Sequence, residues 1–158
     1  MKILLVTLAL LATPATARTS LGTFDGWGAF RDARPTRCFA IAEPYRRARS
    51  KWRSFAAIST WPQSGVRGQV QVRLGRALLV GAPVLLTIGG QRFAMVAGGA
   101  DAWTPDARAD AALVAAMRNA PRFTVRARTV TGGRFSEGYA LKGAATAIDA
   151  AALGCARR

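Results

Sequence analysis

Hydrophobic and polar positions alternate with a period of two along much of this chain, and that alternation predicts strands. Gln69-Val70-Gln71-Val72-Arg73-Leu74 is the cleanest case, with one apolar and one polar face. Arg53 to Trp61 sets Phe55, Ala57, Ser59 and Trp61 against Ala56, Ile58 and Thr60, and ends at Pro62. Cys38 to Ala42 is a shorter strand stopped by Pro44; Phe24 to Asp32 is an extended segment with glycines at 26 and 28, and Pro35 then interrupts the chain. Two hairpins are expected at glycine doublets, because glycine accepts the positive φ of tight turns. Val84–Ile88 and Gln91–Val96 flank Gly89-Gly90, and Arg122–Val130 and Arg134–Leu141 flank Gly132-Gly133. If the second doublet is a two-residue turn, Arg128 pairs across the ladder with Glu137, and Arg126 with Tyr139. Arg122, Arg126 and Arg128 share one strand face, opposite Phe123, Val125 and Ala127.

The period changes twice, and each change predicts a helix. Thr104-Pro105-Asp106 supplies a hydroxyl cap, a proline for the first turn and a carboxylate near the positive helix end. Ala109, Ala112, Leu113, Ala116 and Met117 then recur at helical spacing, Arg118 falls in the last turn, and Asp106 and Asp110 are explained by the helix start. A second helix covers Ala144 to Leu153, with Gly154 placed to end it and Cys155 following directly. The apolar segment Ala77 to Gly90 holds Pro83 and falls short of the roughly 20 residues of a membrane helix, so it belongs to the core. With no linker, repeat or low-complexity block, residues 18–158 form one domain. The expected class is β-rich α+β, with antiparallel sheets in a sandwich-like arrangement and two short helices.

Residues 1–17 do not fit that domain. Lys2, the apolar run Ile3 to Leu11 and the small residues Ala15-Thr16-Ala17 have the layout of a cleaved secretory signal peptide. The mature chain then starts at Arg18, carries no transmembrane segment, and is periplasmic or secreted. In an oxidising compartment the two cysteines, Cys38 and Cys155, read as a disulfide. A bridge over so long a loop gives an upper figure of about 5 kcal/mol in the chain-entropy model.

Charge narrows the chemistry. The chain has 23 Lys and Arg against 8 Asp and Glu and no His, a net +15, and the leader holds only one of those charges, Lys2. Such a balance favours polyanionic neighbours; an Arg- and Ala-heavy composition also follows from a GC-rich coding sequence. Without histidine there is no Ser-His or Cys-His nucleophile pair, and a zinc or copper site lacks its usual ligands. No spacing marks two carboxylates facing across a cleft, and no phosphate loop or dinucleotide fingerprint occurs. No catalytic residue, metal or cofactor is assigned.

Two basic features stand out as anion-binding candidates. Tyr45 to Arg53 gathers Arg46, Arg47, Arg49, Lys51 and Arg53 with Tyr45 and Trp52 in one loop, which either grips phosphates on lipid A or anionic lipids, or is a solvated loop whose Trp52 caps the core. Export argues against specific nucleic acid. The second feature is Arg122, Arg126 and Arg128, which either meet an anion or cover an exposed sheet through cross-strand pairs.

The pattern Gly22-x-Phe24-x-x-Trp27-Gly28-x-Phe30, followed by Cys38-Phe39-Ala40-Ile41-Ala42-x-Pro44, resembles the invasion-associated locus B family of exported bacterial proteins. Ala102-Trp103, Ala116-Met117-Arg118 and Tyr139-Ala140-Leu141-Lys142-Gly143-Ala144 leading to Cys155 are similar too. The resemblance implies a β-rich periplasmic or surface protein, in some members linked to host-cell entry, with no accepted active site. The leading expectation is therefore a non-enzymatic envelope protein whose Arg-rich surface associates with anionic lipid, lipopolysaccharide or host-surface components. Two alternatives are a module that binds another exported protein through a sheet edge, and a carboxylate-dependent hydrolase.

Overall fold

The computed structural model of the protein describes residues 18–46 and 52–156. The expected signal peptide, 1–17, lies outside the described residues, as do Arg47, Arg49 and Lys51. Ten strands and two helices follow in the order β1 (Arg18–Phe24), β2 (Trp27–Ala33), β3 (Thr36–Ala42), β4 (Phe55–Trp61), β5 (Val66–Arg73), β6 (Val84–Ile88), β7 (Gln91–Gly98), β8 (Asp101–Trp103), α1 (Ala107–Met117), β9 (Arg122–Arg128), β10 (Arg134–Ala140) and α2 (Ala144–Ala156). The strands form one continuous antiparallel sheet in the order β1-β2-β3-β4-β5-β8-β7-β6-β9-β10. The β-rich α+β class thus holds, with the antiparallel strands joined edge to edge in a single sheet.

Local chemistry accounts for most turns. Phe24 pairs with Trp27 across Asp25-Gly26, so the extended segment expected from Phe24 is a hairpin whose first strand begins at Arg18. Arg34-Pro35 makes the next hairpin turn, with Ala33 opposite Thr36. Ile88 pairs with Gln91, and Gly89 and Gly90 take φ of 53° and 82°, the two-residue turn that their sequence predicts.

The β9–β10 hairpin departs from expectation. Arg128 pairs with Arg134 and Arg126 with Ser136, so neither predicted pair, Arg128 with Glu137 or Arg126 with Tyr139, forms. Thr129 N–H donates to Gly133 O at 2.9 Å and Gly132 N–H to Thr129 O at 2.8 Å, which makes the turn longer than the glycine doublet. The register is offset from the two-residue expectation by three residues. An odd offset exchanges faces: Glu137 and Tyr139 point inward beside Val125 and Phe123.

The helices lie on one face of the sheet, α2 across β1 to β4 and α1 against β5. The inner surface of α2 is Ala144, Ala147, Ile148 and Ala151, and its three alanines let the helix settle close onto a core that includes Trp27, Ala29, Cys38, Ala40 and Ile58. Gly154 does not end this helix, which runs on to Ala156. It lies against Leu21: a Cβ at 154 would stand 2.5 Å from Leu21 Cδ1, so a larger residue would require that side chain to move. Gly143, entering the helix with φ of 83°, would bring a Cβ to 2.0 Å from the Phe24 carbonyl oxygen, so only glycine lets β10 pass over the β1–β2 turn.

At α1 the cap is Asp106, whose carboxylate accepts from Ala109 N–H at 2.8 Å; Thr104 is not the cap. The Thr104 hydroxyl donates instead to buried Asp110, which also accepts the Val70 N–H of β5 at 2.7 Å and so fixes the helix to the sheet. Arg118, just past α1, grips Asp149 of α2 at 2.6 and 3.1 Å.

Cys38 and Cys155 are joined, with Cα atoms 5.7 Å apart and a separation of 117 positions in sequence. The bridge ties the end of α2 to β3, in the fully buried layer that Cys38 occupies. Cys38→Ala and Cys155→Ala are expected to lose the same stability, up to about 5 kcal/mol, since either opens the same loop. Urea unfolding of both variants beside the reduced parent checks this, and unequal losses would mean that one cysteine matters mainly through packing.

Hydrogen bonds from Arg118 hold the Asp149 carboxyl below its ordinary range, against a smaller opposing effect of burial. A depressed carboxyl stabilises the fold fully above its unfolded value of about 3.9 and loses that contribution as pH falls through the folded value. Asp149→Asn is therefore expected to be less stable than the parent at neutral pH, by about 0.5 kcal/mol because the pair is largely exposed. The gap should close in melts taken well below the carboxyl range.

Candidate anion-binding surface

The outward positions of β9 are Arg122, Thr124, Arg126 and Arg128, set there by strict alternation with buried Phe123, Val125 and Ala127. Register then fixes their neighbours. On β10 these are Ala140, Gly138, Ser136 and Arg134; on β6, Thr87 stands opposite Thr124 and Leu85 opposite Arg126; on β7, Arg92 stands opposite Thr87. One sheet face thus carries Arg92, Arg122, Arg126, Arg128 and Arg134, all exposed, among small, hydroxyl and aliphatic neighbours. Arg128 and Arg134 are direct cross-strand partners, a like-charge pairing that works against the sheet.

No carboxylate relieves that face, because all eight acids of the chain are engaged elsewhere. Asp32 is held by Arg18 at 2.7 Å, Asp101 by Arg73 at 2.7 Å, Asp149 by Arg118, Asp25 by Lys142 at 3.0 Å, and Glu43 by Arg53. Asp106 caps α1 and Asp110 is buried beneath it. Glu137 lies on the inner side of β10, where one oxygen accepts from Gly75 N–H at 2.9 Å and from the Ser54 hydroxyl at 3.0 Å. Tyr139 stacks on Phe123 at 4.8 Å, and its phenol is pushed well above the ordinary tyrosine value, mainly by burial and further by the Glu137 charge.

Two depressions run along the arginine face and meet at Ser136. The first, 680 Å³, lies among Tyr45, Arg46, Arg122 and Thr124. The second, 540 Å³, lies among Leu85, Arg126, Arg128 and Arg134. The position of Arg46 comes from its neighbour. Tyr45 N–H donates to Gly138 O at 3.0 Å, and the Tyr45 ring lies over Gly138, where a Cβ would come within 2.2 Å of the phenolic oxygen. The structure therefore brings Arg46 of the basic segment together with Arg122 of the strand. Arg53 is not on this surface; it is turned to Glu43. Arg92 and Arg134 join the face without having been singled out from sequence, Arg134 because its place depends on the offset hairpin register.

Among the described residues, no three His, Cys, Asp or Glu side chains gather as a metal site. The arrangement suits electrostatic capture of an oxyanion: guanidinium groups supply forked donors for phosphate or carboxylate, and hydroxyls stand between them. Comparison of the chain with protein-family models, with curated proteins and with solved structures finds no match.

The buried carboxylate beneath the face makes a structural prediction. Glu137→Gln keeps the shape of the side chain but weakens the charge-assisted bonds to Gly75 and Ser54, so a loss of about 1–3 kcal/mol is expected. Urea denaturation measures it directly, and an unchanged midpoint would show that these bonds carry no net stability.

Proposed function

We propose that this is a non-enzymatic exported envelope protein that docks on anionic envelope or host-surface components, such as lipopolysaccharide phosphates or anionic lipid headgroups, through the β7-β6-β9-β10 face. One observation carries the proposal: five arginines share a face from which every carboxylate of the chain is withheld, and two of them, Arg128 and Arg134, are direct neighbours. A bound oxyanion offsets that repulsion, so the face is better matched to an occupant than to water alone.

Support for export comes from the leader pattern of residues 1–17 and from the Cys38–Cys155 bridge. Among the described residues no helix is long and apolar enough to cross a membrane. Membership of the invasion-associated locus B family is proposed on the motifs of the sequence, several of which fall on buried positions such as Trp27, Cys38, Ala102 and Tyr139. Recognition of a partner strand at the β10 edge is less favoured, because Gly138 O and Ala140 O already accept from Tyr45 N–H and the Trp27 indole.

Replacing Arg122, Arg126, Arg128 and Arg134 with serine tests the face. Each cation near an anionic membrane is worth about 1 kcal/mol, so binding to anionic vesicles should fall by orders of magnitude and its salt dependence should flatten. Stability should hold or rise slightly, since a like-charge pair is removed. Vesicle co-sedimentation at two salt concentrations, with neutral vesicles as control, gives the comparison; equal binding by parent and variant would overturn the proposal.

A further inference from the structure

A second cluster of guanidinium groups lies on other strands of the sheet and is built differently. The β2–β3 hairpin and the end of β4 enclose a cleft of 370 Å³ lined by Arg18, Asp32, Arg34, Pro35, Arg37 and Trp61. Arg37 is held in place from several sides. Its guanidinium carbon lies 4.3 Å from the centroid of Phe39 and 4.8 Å from that of Trp61, and Nη2 donates to the Ser59 hydroxyl at 2.9 Å. These contacts fix its plane, as stacking between aromatic rings does for arginine.

The electrostatics of the cleft are incomplete. Arg37 Nε is buried and has no hydrogen-bond acceptor among the described residues. Asp32, the carboxylate of the cleft, is taken by Arg18 in a two-pronged contact at 2.7 and 3.1 Å. Burial pulls Arg37 below the ordinary arginine value; Asp32 opposes this and Arg18 adds to it. Arginine nonetheless remains charged. A fixed, poorly solvated cation short of an acceptor is costly to the folded chain unless something completes it. Arg34, exposed at the adjoining turn, supplies a second guanidinium on the same cleft.

We propose that this cleft is a binding site for a compact terminal oxyanion, a carboxylate or a phosphate monoester, received between Arg34 and Arg37 with its carrier lying beside Trp61. The site is independent of the arginine face: that face gathers exposed charges, whereas this one presents a pre-oriented guanidinium with an aromatic wall. An acidic or phosphorylated sugar has the required combination, an oxyanion on a ring that packs against an indole.

Titration followed by NMR tests the site, because the Arg37 Nε–H and the Trp61 indole N–H report on it directly; Trp61→Phe identifies the indole signal. Glucuronate, glucose 6-phosphate, inorganic phosphate and glucose serve as probes. Saturable shifts of both signals by at least one oxyanion, and none by glucose, are expected. Response to glucuronate alone assigns a carboxylate; response to both phosphates assigns a phosphate. Arg34→Ser should weaken binding about tenfold, the worth of one charge-assisted contact. Arg37→Lys, which keeps the charge and loses the stacked fork, should weaken it at least as much. The variant lacking Arg122, Arg126, Arg128 and Arg134 should bind these probes unchanged, so failure here and failure of the arginine face are separable. Absence of saturable shifts, equal shifts by glucose, or parental affinity in Arg34→Ser would overturn the proposal. The exposed Arg34 carries the test even if Arg37→Lys disturbs folding.

Discussion

The seam between the two ends of the sheet is the constraint on which the rest of the structure depends. Trp27, fully buried on β2, donates its indole N–H to Ala140 O on β10 at 2.8 Å, and Tyr45 N–H donates to Gly138 O. Strands at opposite ends of the sheet order are thereby drawn together, which is possible only because so wide a sheet twists and coils. The seam does three things at once. It encloses a core shared by both halves, it covers part of the free edge of β10, and it delivers Arg46 to the outer face of β9 and β10. An uncovered edge invites pairing with another chain, and this closure limits such pairing at β10.

Glycine makes that closure sterically possible. Tyr45 can lie over β10 because residue 138 has no Cβ, and the chain can leave β10 for α2 because residue 143 has none. The helix that follows is then fastened at its far end by Cys155 to Cys38 and along its length by alanines against β2 and β3. Backbone proximity, a covalent bond and small-residue packing act on the same element. Fixing α2 in turn positions Asp149 for Arg118, which joins the two helices.

What the sequence made legible was what local chemistry decides. Period-two alternation located β4, β5 and β9, and the Gly89-Gly90 doublet located the β6–β7 hairpin turn, because side-chain direction and positive φ are properties of a few consecutive residues. Asp25-Gly26 carried an equally local hairpin signal and accounts for β1, which begins earlier than Phe24. Other features depend on distant partners. Gly132-Gly133 reads as a two-residue turn until Thr129 enters it, and the resulting offset turns Glu137 from a surface partner of Arg128 into a buried acceptor for Gly75 and Ser54. Thr104 has the makings of a cap but is drawn to Asp110, and Gly154 reads as a stop signal although the helix continues past it, with Leu21 lying close by. The arginine face was half visible: Arg122, Arg126 and Arg128 follow from alternation, whereas Arg46, Arg92 and Arg134 join them only through tertiary pairing. The cleft at Arg37 was not visible, since its aromatic walls, Phe39 and Trp61, come from different strands.

The scarcity of acids links stability to surface chemistry. A chain with eight carboxylates and a large excess of arginine cannot pair its cations evenly. Here the carboxylates go where they hold structure: Asp106 and Asp110 at α1, Glu137 under β10, Asp32 and Asp101 across neighbouring strands, Asp149 between the helices. Of the arginines left over, five are gathered by strand alternation on one outer face, where repulsion between them is tolerated because long exposed side chains can splay into solvent. The same excess has a different consequence at Arg37. Its neighbouring carboxylate is already taken by Arg18, and its Nε is buried without an acceptor among the described residues while two aromatic rings flank the guanidinium. One surplus of positive charge thus yields two chemically distinct surfaces: an exposed one whose attraction for anions weakens with salt, and a partly enclosed one where screening is weaker and geometry decides which oxyanion fits.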